Sequence, residues 1–116
     1  MERQSEVLAG CEAVWSAGWI AVSGAIDAAS APVLGQRLRA LVGLGDLDVD
    51  CRSVTFLDVA GLRMLAEVGA TAHAVGATVC LQCSPAVTEM LTLCGVRELP
   101  GVALKHGSHD SPGSRQ

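Results

Sequence analysis

The sequence predicts an α/β domain, a small mixed β-sheet of four to five strands with helices packed mainly on one face. Three observations carry that expectation. Apolar residues alternate at period two in some stretches and recur at i, i+3 and i+4 in others. After an opening hairpin, the two kinds of stretch take turns along the chain. A length of 116 residues fits one domain, which at this size buries roughly two thirds of its unfolded surface. Strands joined through helices pair in parallel by right-handed crossovers, whereas a hairpin is antiparallel, so the sheet must be mixed.

The elements follow in order. CEAVWSAGWIAVSG, residues 11–24, holds two apolar runs around Ser16-Ala17-Gly18 and reads as a β-hairpin. Ser30 is placed to cap a helix whose second residue, Pro32, is tolerated because the first helical N–H groups have no internal partner. Leu34, Leu38, Leu41 and Val42 then share one face, with Gln36, Arg37 and Arg39 opposite. LDVDC alternates from Leu47 as a strand, and VTFLD ends that strand or forms an irregular turn beyond it. From Gly61 the period becomes helical, with Leu62, Leu65, Ala66, Gly69 and Ala72 on one stripe and Arg63 and Met64 off it, until near Gly76. ATVCLQC is short, apolar and rich in β-formers, the mark of a buried strand. Ser84-Pro85 then caps a helix in which Val87, Met90, Leu91 and Cys94 repeat, with Gly95 as its stop. VRELPGVALKH supplies a weak strand or a short helical turn, and the polar GSHDSPGSRQ is expected to be disordered.

Composition excludes several function classes. The net charge is −4 and the eight Lys and Arg are scattered, whereas nucleic-acid binding needs several cations on one face. Two Trp, one Phe and no Tyr also leave no platform for stacking bases. No apolar run approaches the ~20 residues of a membrane crossing, so direct insertion is not expected. MERQSEVLAG has none of the features of a secretory signal. With five cysteines at irregular spacing inside apolar runs, a reducing cytoplasm is the expected location. Phosphate-loop and nucleophile-elbow motifs are absent. The expectation is a protein that is not an enzyme, uses no cofactor and no metal, and works by binding another protein.

The acids between strand and helix mark where. Loops after the C-terminal ends of strands are the usual docking points of α/β sheets, because helix N-termini converge there. Asp58 stands on such a loop before Gly61, and Asp27 stands on the corresponding loop before the first helix. Each also has a purely structural use as an N-cap.

VSGAID, DAASAPVLGQRL, LDVDCRSVTFLDVAGLRML, AHAVGATVCLQC and VTEMLTLCGV occur in an order that resembles the STAS domain of bacterial anti-sigma factor antagonists. The resemblance runs from Val14 to Val102. It implies an N-terminal segment over residues 1–10, a STAS domain over 11–106 and a tail over 107–116. In that family the loop matching Asp58-Val59-Ala60-Gly61 usually reads Asp-Ser-Ser-Gly or Asp-Ser-Thr-Gly. A hydroxyl there is phosphorylated by an anti-sigma factor of the histidine-kinase-like ATPase type, which the unmodified form binds. Val59 and Ala60 carry no hydroxyl, so the ordinary phosphorylation switch is missing. The resemblance implies a partner face of Asp27, Asp58, Val59, Ala60, Gly61, Leu62, Arg63 and Met64. It also implies an alternative partner, because some STAS proteins dock on the ATPase of lipid-transporting ABC systems and carry Ala before the glycine, as Ala60 is here. Cys80-Leu81-Gln82-Cys83 raises a third, thiol-regulated reading, with Cys83 before a helix N-terminus where a thiol pKa can fall. Yet residues three apart on a strand lie roughly 10 Å apart and face opposite ways, and a disulfide needs Cα atoms within about 7 Å.

Overall fold

The computed structural model describes residues 3–106, so the tail expected over 107–116 lies outside the described residues. The elements are β1 (Gln4–Leu8), β2 (Cys11–Ser16), β3 (Trp19–Ile26), α1 (Ala31–Val42), β4 (Leu47–Leu57), α2 (Val59–Ala74), β5 (Val79–Cys83), α3 (Pro85–Leu93) and β6 (Val102–Lys105). They form one sheet in the order β1-β2-β3-β4-β5-β6. β1, β2 and β3 pair antiparallel, and β3 to β6 pair parallel. Because the three crossovers all step the same way across the sheet, right-handedness places α1, α2 and α3 on one face. The α/β class and the helix layer are therefore as the sequence indicates.

The strand count is not: there are six strands, against an expected four to five. The weak C-terminal element is a strand, β6, and the additional strand is β1, within residues 1–10. Leu8 pairs with Cys11 across a two-residue turn in which Ala9 and Gly10 both have positive φ, 46° and 110°. Such turns match the twist of a hairpin but are usually signalled by Asn or Asp before the Gly; an Ala there hides the signal. β1 is tied down by Leu8, which is buried, and by Glu6. The Glu6 carboxylate accepts from Arg37 of α1 at 3.0 Å, and that guanidinium lies 4.4 Å from the centroid of the Trp15 ring.

β4 is longer than its alternation suggests. Leu47, Val49 and Cys51 are buried at period two, and then Val54 and Leu57 are buried at period three. The pairing explains the change. From Ala21 to Ile26 β3 advances five residues, while β4 advances seven from Asp50 to Leu57, with irregularities after Ala21 and Gly24. Two surplus residues are thus absorbed as bulges, which bend a strand and increase its twist.

The helices pack as their stripes require, with two adjustments. Leu34, Leu38 and Val42 of α1 are buried against the sheet and Leu41 is half-buried, while Leu62, Leu65, Val68 and Ala72 of α2 join the same core. Met64, expected off the buried stripe, is only 4% exposed. The reason lies on α1: a Cβ on Gly35 would fall 2.8 Å from Met64 Cγ, so the missing side chain leaves a slot that Met64 fills. As the middle helix, α2 buries one flank against the sheet and another against α1. α2 also starts at Val59 rather than at Gly61.

Candidate functional site

The ends of β3 and β4 bring the two acid-bearing loops together. The Asp58 N–H donates to the Ile26 carbonyl at 3.2 Å, stitching one loop to the other. Beyond that bond each chain turns into its helix, so Asp27 and Asp58 stand at the same pole of the molecule.

Asp58 is the N-cap of α2. Its backbone is extended, its Oδ1 accepts from the Gly61 N–H at 3.0 Å, and its carbonyl accepts the first helical bond from Leu62 at 2.9 Å. One orphan donor of the helix is thereby satisfied. Gly61 has a second task. A Cβ there would lie 2.5 Å from Leu57 Cδ1, 2.9 Å from Ile26 Cγ2 and 3.0 Å from the Ile26 carbonyl oxygen. Glycine therefore lets the first turn of α2 sit directly on the ends of β3 and β4. The acid fixes the turn's hydrogen bonding, and the glycine fixes its depth.

Asp27 shapes its own loop. Its Oδ1 accepts from the N–H groups of Ala29 at 3.0 Å and Ser30 at 3.2 Å. Ser30, expected to cap α1 through its side chain, makes no such cap bond. Its buried hydroxyl instead donates to the Ala25 carbonyl at 3.2 Å and accepts from the Asp27 N–H at 3.1 Å. The hydroxyl is drawn inward because those two backbone groups need partners where water is excluded.

Eight residues were expected on a partner face, and they sort by exposure. Val59 is 55% exposed and Arg63 is also exposed. Asp27, Asp58 and Ala60 are half-buried, whereas Gly61, Leu62 and Met64 are buried and support the loop from beneath. The exposed members are thus Val59 and Arg63, with Ala60 between the loop and a groove. Sequence reasoning missed Phe56, 50% exposed, because VTFLD was readable either as the strand's end or as an irregular turn, which assigns Phe56 no face. Val33 on α1 is likewise exposed; Pro32 and Val33 adjoining the predicted cap were the available signal.

The groove runs between α1 and α2, beside the loop, and encloses about 350 Å³. Ala31, Pro32, Ala60 and Met64 give it apolar walls and floor, and Gln36, Arg39, Arg63 and Glu67 supply its polar lining.

The cysteines are elsewhere. All five thiols are free. Cys80 and Cys83 lie on opposite faces of β5, Cys83 buried and Cys80 half-buried. Cys83 has Cys51 of β4 as its register partner. Position before a helix N-terminus does not lower the Cys83 pKa: burial pushes it up to about 11. Burial raises Cys51 and Cys11 as well. Among the described residues no three His, Cys, Asp or Glu side chains gather as metal ligands, and no helix is long and apolar enough to cross a membrane.

A mixed sheet with one helix layer and an acid-capped, glycine-seated loop at the strand ends is the architecture of a STAS domain. The chain belongs to that family: the family model described as "Mlab, STAS domain" matches residues 12–102. The fold resembles that of an anti-sigma factor antagonist from Mycobacterium paratuberculosis, at 24% identity over 87% of this chain and 83% of the other, with a TM-score of 0.58. It also resembles the anti-sigma factor antagonist SpoIIAA in its unphosphorylated form, at 12% identity over 98% and 96% of the two chains, with a TM-score of 0.60. No curated protein matches the chain at a significant level.

Proposed function

We propose that the protein is a noncatalytic anti-sigma factor antagonist-like regulator. It docks on a kinase-like anti-sigma factor through the Asp58–Gly61 loop and the adjoining surface of α2. The observation that carries this reading is the loop itself. Asp58 and Gly61 hold the backbone of a switch loop, while the positions between them present Val59 and Ala60 in place of a phosphate acceptor. Phosphorylation would add about −1.5 to −2 charges at a helix N-terminus beside a carboxylate. Lacking an acceptor, the loop stays in its binding form, and the protein is constitutive or is controlled by abundance and competition. A cytoplasmic location suits this role.

The test is to mix the protein with a histidine-kinase-like anti-sigma factor and ATP. A complex with the protein's intact mass unchanged is expected. Absence of a complex, or gain of a phosphoryl group mapped to Ser53 or Thr55, would sink the constitutive reading. A second reading, an accessory subunit of an ABC lipid-transport ATPase, is favoured by Ala60 directly before Gly61. Recovery of an ABC ATPase rather than a soluble kinase-like ATPase in co-purification would select it. Thiol control has less support: Cys83 is buried with a raised pKa, and Cys80 points to the other face of the strand.

A further inference from the structure

The groove between α1 and α2 carries an inference that deepens the docking role proposed for the Asp58 loop and rests on it. Its volume of about 350 Å³ has room for one or two aliphatic side chains, and too little for a folded element. Its floor is the buried Met64 and its walls are Ala31, Pro32 and Ala60. Ala60 occupies one of the two positions that carry a hydroxyl in the usual loop. Here its methyl group lines the groove, so the replacement that removes a phosphate acceptor also completes an apolar wall.

The rim carries two arginines and one carboxylate, Glu67. Arg63 is exposed and has no ion-pair partner among the described residues, and Arg39 approaches Glu67 at 4.0 Å. Arg39 is thus paired within the rim, whereas the Arg63 guanidinium is open to a carboxylate from outside, and Arg, with its planar fork of donors, suits that contact. Gly35 keeps the floor low. A Cβ at that position would meet Met64 Cγ at 2.8 Å and Arg39 Nη1 at 3.2 Å, pushing the methionine up into the groove and displacing the rim cation together.

We propose that the α1–α2 groove receives an amphipathic helix from the protein partner, with an aliphatic side chain in the groove and a flanking carboxylate facing Arg63. This is helix-in-groove recognition, in which apolar anchors supply affinity and flanking charges supply register. The groove makes binding depend on an anchor beside the loop, where a conventional relative depends on the state of a hydroxyl within it.

The experiment uses the full chain labelled with ¹³C at its methionine methyl groups. The chain has three methionines; Met64 reports on the groove, and Met90 on α3 serves as control. The probe is a capped amphipathic helical peptide with Leu along one face and Glu on both flanks. Its analogues carry Lys in place of Glu, or Ser in place of Leu. The Glu peptide should shift the Met64 methyl and leave Met90 still, binding at least tenfold tighter than either analogue. Arg63→Glu, an exposed change that leaves the core intact, should abolish the preference for Glu over Lys, and Gly35→Ala should weaken binding further. An unmoved Met64, or equal affinity for the Glu and Lys peptides, overturns the proposal. Binding of a kinase-like anti-sigma factor that Val59→Glu destroys but Arg63→Glu and Gly35→Ala leave unchanged also overturns it, while the docking role of the loop survives. Conversely, a Glu-selective Met64 shift in a chain that binds no such ATPase upholds the groove and defeats the docking reading.

Discussion

Asp58 and Gly61 divide the work of seating α2. Removing the carboxylate by Asp58→Ala should cost about 1 kcal/mol of stability, the usual loss for an N-cap, with Asp58→Asn nearly neutral because an amide oxygen still accepts the Gly61 N–H. Urea denaturation of the two variants checks this, and equal losses would deny the cap. Gly61→Ala should cost more, about 1–3 kcal/mol. One of the three atoms its Cβ would meet is the Ile26 backbone oxygen, which cannot swing aside as a side chain can. These residues also show what was legible in advance. The two acids were found from their place between strand and helix, but the purpose of Gly61 was not, because a close approach between backbone segments leaves no pattern in a sequence. Met64 was misplaced for a related reason: helical periodicity describes one buried face, and the slot opposite Gly35 belongs to another helix.

At the scale of elements, β4 and β5 set the chemistry of the thiols and of one ion pair. Cys11, Cys51 and Cys83 point into the core, whereas Cys94 is exposed beyond α3. Native protein treated with iodoacetamide should therefore be alkylated first at Cys94, then at half-buried Cys80. The other three should react only at the rate of unfolding, as peptide mass mapping would report. Early modification of Cys51 would contradict its burial. On the opposite face of β4, Asp50 Oδ1 and Oδ2 accept from Arg52 at 3.0 and 2.9 Å. The side-chain hydrogen bond from Arg52 lowers the Asp50 pKa, outweighing the opposing effect of burial. A carboxyl whose folded pKa is depressed stabilises the protein above its unfolded value of about 4, and that contribution disappears as pH falls through the folded value. Asp50→Asn should accordingly flatten the acid limb of the stability curve below about pH 4 and leave its neutral slope unchanged. Thermal melts across that range would show it. α1, α2, α3 and β5 were readable because each keeps one main period, from which Met64 of α2 and the exposed Cys94 after α3 depart. β4 was readable only to Cys51, since its bulges replace period two with period three.

For the whole molecule, the first strand matters more than its sequence promised. β1 closes the sheet over β2, buries Leu8, and anchors Arg37 through Glu6 above Trp15. Deleting residues 1–9 should destabilise the domain by at least about 2 kcal/mol, the scale of one buried leucine, and shift Trp15 fluorescence to the red. An unchanged melting temperature would show the strand to be dispensable. β1 escaped notice because a five-residue strand with mostly exposed side chains has little apolar pattern, and its partner strand is its main cause. The bulges of β4 also have a consequence for the molecule as a whole. Arg52-Ser53 and Thr55-Phe56 are two pairs of outward residues set between the inward Cys51, Val54 and Leu57. Removing one member of each pair, Arg52 and Thr55, would leave Cys-Ser-Val-Phe-Leu, a plain alternation with every core side chain retained. Such a shortened protein should still fold, yet its straightened strand would deliver Asp58 in a different direction. On that expectation the composition of the interior and the aim of the loop vary independently, because the length of one strand re-aims the loop without altering the core.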